Sequence, residues 1–274
     1  MTDVEKGLFI DAGGINTHYH EDGQGEALVL LHGSGPGVSA WANWRPVFPI
    51  LAKHYHLYAP DVVGFGYTDR PAGVTYGMDL WVKHIVDFLE HKGLKKVSIV
   101  GNSMGGGVAI NLAHQRPDLI NKLILMGSMG ISFPITKGLD DVWGYTPSVE
   151  NMQAMLKSFV SNPAIANQAG LAEMRYNASI QPGFQESFSA MFPAPRQQGV
   201  EAMALSEDKI RKITIPTLCV HGREDQIIPI AETSWRLANL MPNAELHVFS
   251  NCGHWTQIEK TVPFASVVHE FLSR

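Results

Sequence analysis

Gly101-Asn102-Ser103-Met104-Gly105 sets a serine between two glycines, just after the apolar run Val97-Ser98-Ile99-Val100. This is the G-x-S-x-G pattern of a nucleophile elbow, in which a strand turns sharply into a helix and displays the serine hydroxyl at the apex. The chemistry explains the glycines. The turn forces the serine backbone into a strained conformation, and bulkier neighbours would clash. Gly106 and Gly107 extend the run and let the following helix pack closely. That helix should start at Ser103, and its N-terminus adds a positive dipole where an oxyanion would develop. An N-cap serine in an ordinary strand–helix turn would leave the same five letters, so the pattern needs partners elsewhere in the chain.

An unassisted serine hydroxyl is a weak nucleophile at neutral pH. It needs a base, and the base needs a group to orient it. Where a serine is displayed this way, the partners follow in the order Ser, then Asp or Glu, then His. Of the 12 histidines, His254 fits: it follows Leu246-His247-Val248-Phe249 and the polar turn Ser250-Asn251-Cys252-Gly253. That places it on a loop at a strand's carboxyl end. His221 also ends a strand but precedes the acid, while His84, His91, His114 and His269 fall on predicted helices. The acid lies in Arg223-Glu224-Asp225, after the strand ending Val220-His221-Gly222, and position alone leaves Glu224 and Asp225 both open. Taken singly, these are a turn carboxylate and a loop histidine. In order behind Ser103 they make a catalytic triad.

A fourth segment, His32-Gly33-Ser34-Gly35-Pro36-Gly37, follows the apolar run Ala27–Leu31. Its glycines allow backbone N–H groups to face a substrate. The amides of Ser34 and Met104 are the expected oxyanion donors. A phosphate-binding loop is the competing reading, and no Gly-Lys-Ser/Thr follows to support it.

These four segments need a scaffold that brings them together. Short apolar runs near 27–32, 57–60, 97–100, 123–126, 215–221 and 245–249 read as buried strands. Helical spacing intervenes at about 41–54, 78–92, 103 onward, 231–241 and 261–272, and residues 7–20 read as a hairpin turning near Gly13-Gly14. Such alternation predicts a doubly wound, mostly parallel α/β sheet, with ligands at the strands' carboxyl ends. Between about 133 and 208 methionines, aromatics and helical spacing replace the alternation. We therefore expect a core of 1–132 and 209–274 with a helical cap, 133–208, inserted between two strands.

The 274 residues are 45% hydrophobic and 17% charged, which suits one domain with an insertion and argues against disorder. A net charge of −5 gives no reason to expect nucleic acid or an anionic membrane as partner. Cys219 and Cys252 form no CxxC pair, and Cys219, inside an apolar run, reads as a buried thiol. The start, Met1-Thr2-Asp3-Val4-Glu5-Lys6, has no leader pattern, and no apolar run reaches the roughly 18 residues of a membrane span. The expectation is a soluble, cytoplasmic protein.

Longer strings are more specific than the elbow. They include Trp41-Ala42-Asn43-Trp44, Val63-Gly64-Phe65-Gly66-Tyr67, Val142-Trp143-Gly144-Tyr145-Thr146-Pro147-Ser148 and Ser179-Ile180-Gln181-Pro182-Gly183-Phe184. His221-Gly222-Arg223-Glu224-Asp225 and Cys252-Gly253-His254-Trp255-Thr256-Gln257-Ile258-Glu259 complete the set. With them the chain resembles, over nearly its whole length, the meta-cleavage-product hydrolases, carbon–carbon bond hydrolases of the α/β-hydrolase fold. The nearest subgroup is the 2-hydroxymuconic-semialdehyde hydrolases and their alkyl-substrate relatives. The resemblance favours Asp225 over Glu224 as the acid. It implies an anionic 2-hydroxy-6-oxohexa-2,4-dienoate as substrate, with Arg175 binding its carboxylate end and Asn43, Asn102 and Trp255 around the same end. It also implies a homo-oligomer, and neither metal nor organic cofactor is required. Met129, Trp143 and Ile228 are expected in the apolar pocket for the C6 group, with Ile131, Phe133, Met152 and Phe159 as further candidates. Two rivals remain: a carboxylesterase or lactonase on the same fold, and a non-catalytic ligand receptor that keeps the triad.

Overall fold

The computed structural model describes residues 6–274; Met1–Glu5, which carry most of the leader reading, lie outside the described residues. Eight strands form one sheet: β1 (Leu8–Ala12), β2 (Ile15–Asp22), β3 (Ala27–Leu31), β4 (His56–Pro60), β5 (Val97–Asn102), β6 (Ile120–Met126), β7 (Thr217–Gly222) and β8 (Ala244–Phe249). Their spatial order is β1-β2-β4-β3-β5-β6-β7-β8. β1 and β2 make the expected hairpin, with Gly13 and Gly14 both at positive φ, and β2 pairs antiparallel with β4. From β4 onward every pairing is parallel.

Successive strand side chains point to opposite faces, and here each face has its own core. Val29, Leu31, Ile99, Leu123 and Leu125 join one cluster with the helices Met78–His91, Met104–Gln115 and Ser234–Leu240. Leu28, Leu30, Val100, Ile124 and Val220 join the other, with Trp44, Phe48 and the helix Thr261–Leu272. Chain direction across the sheet reverses at β3, whose neighbours are β4 and β5. The crevice beyond the carboxyl ends of β3 and β5 is the topological switch point where such sheets bind ligands.

One expected element splits. The helix predicted from Trp41 to His54 is two short helices, Ala40–Trp44 and Phe48–Leu51. Pro46 cannot donate the i→i−4 bond a continuous helix would require, and Pro49 sits instead in the first turn of the second helix, where no such bond is needed. Between β6 and β7 the chain forms seven helices, from Lys137–Trp143 to Glu207–Ile210. No helix among the described residues is long and apolar enough to cross a membrane. Cys219 is fully buried, and burial pushes its thiol up to about 12.

Candidate active site

Ser103 follows β5 with φ 54° and ψ −117°, and the helix Met104–Gln115 begins immediately after it. A residue with a Cβ is strained at positive φ, so the surroundings must hold it there. The Ser103 N–H donates to the Met126 carbonyl at 2.9 Å, and its own carbonyl accepts from Met129 at 3.0 Å and from the Gly106 and Gly107 amides. The glycines answer to contacts. A Cβ on Gly101 would lie 2.5 Å from the Gly105 carbonyl oxygen, and one on Gly105 would collide with the Leu31 and His32 carbonyls.

His254 lies beyond β8, and its Nδ1 is 2.7 Å from Asp225 Oδ2. Asp225 occupies the loop after β7 with its side chain 1% exposed. Its Oδ1 accepts the amides of Ile227 and Ile228 at 2.8 and 2.9 Å, and its Oδ2 also meets His221 Nε2 at 3.2 Å. Burial alone would raise the Asp225 pKa. The His254 and His221 imidazoles outweigh it and hold the carboxyl well below its usual range. Glu224, left open by sequence position, points elsewhere: it accepts the Cys252 amide at 2.9 Å and pairs with Arg223.

The loop after β3 runs directly beside the serine. A Cβ on Gly33 would come 3.2 Å from Ser103 Cβ, so that glycine permits the approach. Ser34 is buried, and its Oγ accepts from Trp143 Nε1 at 3.0 Å. A cavity lies against these groups. Ser34, Asn43, Asn102, Ser103, Arg175, His254 and Trp255 all line it, so the sequence assignments converge on one place. Arg175 comes from the helix Leu171–Ser179, with its guanidinium carbon 5.9 Å from the Trp255 ring centroid. Asn43 Oδ1 makes a long 3.5 Å contact with the Gly33 amide, while the buried Asn43 Nδ2 has no hydrogen-bond partner among the described residues.

The apolar candidates are placed as follows. Met129, Trp143 and Ile228 do not line the cavity; nor do Ile131, Phe133 and Met152, while Phe159 does. Leu139, Val142 and Ile227 line it instead. Trp143 stacks on Phe192 at 4.5 Å and 9° and donates its N–H to Ser34, itself a lining residue. Met129 is packed against the nucleophile helix, where a Cβ on Gly107 would lie 3.0 Å from Met129 Cβ. Ile228 is wholly buried beside the acid loop. In two cases the true lining residue is the neighbour of the expected one.

Sequence reasoning also missed Glu259, although it closes one of the quoted strings. One carboxylate oxygen accepts the Ser161 and Asn162 amides at 2.9 and 2.8 Å, and the other accepts the Gly253 amide at 2.5 Å. Phe159 stacks on Trp255 at 4.7 Å. The segment 159–162 is therefore tied to the loop that carries His254. Only its long sequence separation from Ser161 hides this role. Among the described residues no group of three or more His, Cys, Asp or Glu could hold a metal ion.

Comparison with known proteins agrees with this geometry. A family model described as alpha/beta hydrolase fold matches residues 26–261. The chain is 53% identical over 269 residues to a 2-hydroxymuconate semialdehyde hydrolase of Pseudomonas sp. strain CF600, covering 98% of this chain and 94% of that protein. It is 50% identical to a 2-hydroxy-6-oxo-2,4-heptadienoate hydrolase of Pseudomonas putida, covering 100% of this chain and 99% of that one. A meta-cleavage product hydrolase from Pseudomonas fluorescens IP01, solved as a serine-to-alanine mutant complexed with acetates, superposes with a TM-score of 0.97. It is 49% identical, and the match covers 99% of each chain.

Proposed function

The chain belongs to the meta-cleavage-product hydrolases of the α/β-hydrolase fold, and from that premise we propose that it hydrolyses the C5–C6 bond of 2-hydroxy-6-oxohexa-2,4-dienoates in aromatic-compound degradation. The products are 2-hydroxypenta-2,4-dienoate and a carboxylic acid. One observation carries the reading: a single cavity holds Ser103 and the base of the His254–Asp225 pair together with the cationic Arg175. A neutral ester would give Arg175 no anion to bind; a dienoate does. Residues 133–208 act as the cap over a core of 1–132 and 209–274, and the cap delivers Arg175.

The roles follow from the chemistry. Arg175 grips the carboxylate and the adjacent oxygen with its planar fork, and Asn43, Asn102 and Trp255 surround that end. The dienol shifts to its keto form. His254, oriented by Asp225, then takes the Ser103 proton as the serine adds to the 6-carbonyl. The Ser34 and Met104 amides hold the oxyanion. The C5–C6 electrons flow through the C3=C4 double bond onto the C2 carbonyl, whose enolate oxygen takes a proton to give the 2-hydroxypentadienoate, and water hydrolyses the acyl-enzyme.

The decisive test is multiple turnover of a yellow ring-fission product, read as loss of colour with one acid released per molecule consumed. Tight binding without turnover would make the protein a receptor instead. Arg175→Lys is expected to lower kcat/KM on the dienoate roughly ten- to hundredfold although charge is kept, because a charged hydrogen bond is worth about 1.5–3 kcal/mol. Unchanged kcat/KM would remove Arg175 as the anchor.

The lining residues also bear on the C6 group. Leu139, Val142, Phe159 and Ile227 bound the cavity, so hydrogen and methyl substituents are expected to react faster than isopropyl and phenyl. Val142→Ala is expected to raise the phenyl-to-methyl ratio of kcat/KM severalfold. Met129→Ala, at a residue that does not line the cavity, should leave it unchanged. A kcat/KM series over the four substituents checks this, and an unmodified enzyme that prefers phenyl contradicts it.

A further inference from the structure

His32 is the first residue after β3 and is fully buried. Its Nδ1 lies 2.8 Å from the Gly33 carbonyl oxygen, and its Nε2 lies 2.9 Å from the backbone N of Val62. A carbonyl only accepts and a backbone N–H only donates. The ring must therefore carry its proton on Nδ1 and a lone pair on Nε2. Burial lowers its basicity, which keeps the neutral form against the opposing pull of Asp61 and the Gly33 carbonyl. The Val62 side is itself anchored. The neighbouring Asp61 carboxylate is bonded to His18 and accepts the Ala40 and Tyr67 amides, and Phe65 meets the His32 ring edge-on at 5.3 Å.

The Gly33 carbonyl and the Ser34 N–H belong to one planar peptide unit and point in opposite directions. Whatever holds the oxygen sets where the N–H points. We propose that His32 is a positioning residue of the oxyanion site: with its tautomer fixed by the Val62 N–H, its Nδ1–H holds the Gly33–Ser34 peptide so that the Ser34 N–H faces the substrate carbonyl. This rests on the Ser34 amide being a donor in the proposed reaction. The same hydrogen bond polarises the peptide, which strengthens the N–H as a donor. The peptide is close enough to matter, since a Cβ on Gly33 would lie 3.2 Å from Ser103 Cβ.

Two substitutions separate the ring's two bonds. His32→Asn keeps an N–H near the Nδ1 position and loses the acceptor for Val62. His32→Gln reaches the Nε2 position with its carbonyl and loses the donor to Gly33. We expect His32→Gln to lower kcat for product release about ten- to hundredfold, less than the roughly hundred- to thousandfold of a donor lost outright, with KM and the rate of the ketonisation spectral change within about threefold. His32→Asn should retain kcat within about threefold. Ester hydrolysis of p-nitrophenyl acetate uses the same oxyanion site without a dienoate, so the same Gln–Asn split is expected there even if the dienoate assignment fails. Equal kcat in both variants, or losses that follow their melting temperatures, would overturn the proposal. Neutron diffraction of the unmodified protein needs no variant: deuterium is expected on Nδ1 of His32, and deuterium on Nε2 would refute it.

Discussion

Ser103→Ala is expected to bind the dienoate and change its absorption spectrum, yet release product at least ~10⁴-fold more slowly. The reason lies in the order of electron demand. In the dienol form C5 cannot leave with its electrons stabilised. Ketonisation places a carbonyl at C2 that accepts them through the remaining double bond. That proton shift needs a relay and support for the oxygen charge, and the variant keeps the His254–Asp225 pair and Arg175. It lacks only the atom that adds to the 6-carbonyl. Backbone strain at Ser103, with φ 54°, is held by hydrogen bonds to Met126 and Met129 that alanine can also make, so the elbow should survive. Stopped-flow absorbance with product analysis checks this. Near-normal product release would take Ser103 out of the reaction.

The second large effect is expected at Asp225→Asn, with kcat reduced about 10³–10⁴-fold at nearly unchanged KM. The fold predicts which way the new amide turns. Oδ1 of residue 225 accepts two backbone N–H groups, from Ile227 and Ile228, so the carbonyl end stays there. The NH₂ then replaces Oδ2, 2.7 Å from His254 Nδ1. Facing a donor, Nδ1 must accept, which drives the His254 proton to Nε2 and removes the lone pair that takes the Ser103 proton. The same NH₂ also confronts His221 Nε2, at present 3.2 Å from Oδ2. That nitrogen lies 3.0 Å from the Ile228 carbonyl, to which it donates, so a modest loss of stability should accompany the loss of activity. Glu224→Gln serves as the comparison: it bears on the Cys252 amide and should leave kcat within a few fold. Equal losses at the two positions would mean that Asp225 does not orient the base.

Much of this site was legible without coordinates because its chemistry is written locally. A strand-to-helix turn around Ser103 needs glycines at 101 and 105, where a Cβ would strike backbone. The strands alternate period and length, so their carboxyl ends, and the loops carrying Ser34, Asp225 and His254, could be placed in order. What failed was short-range phase and long-range contact. Pro46 broke a helix that periodicity had joined, since the missing N–H outweighs the apolar spacing. Glu259 looked like the end of a motif, and only the fold shows its carboxylate bridging Ser161, Asn162 and Gly253.

The pocket walls show the division most clearly. Sequence alone determined the sheet type and the order of the triad members, because strand ends and glycine turns follow from local sterics and hydrogen bonding; the residues of the anionic end came only from resemblance to the family. It could not decide between Val142 and Trp143, or between Ile227 and Ile228. Val142 and Trp143, neighbours on a helix, point about 100° apart, Ile227 and Ile228 are adjacent in a loop, and both members of each pair are apolar, so hydropathy does not distinguish them. Packing does. Stacking on Phe192 and the hydrogen bond to Ser34 fix the Trp143 ring, and Val142 is the member of that pair that lines the cavity. In the acid loop, the cavity is lined by Ile227, while Ile228 is wholly buried. These orientations depend on partners tens of residues away in the chain, and only the assembled tertiary structure brings those partners within reach.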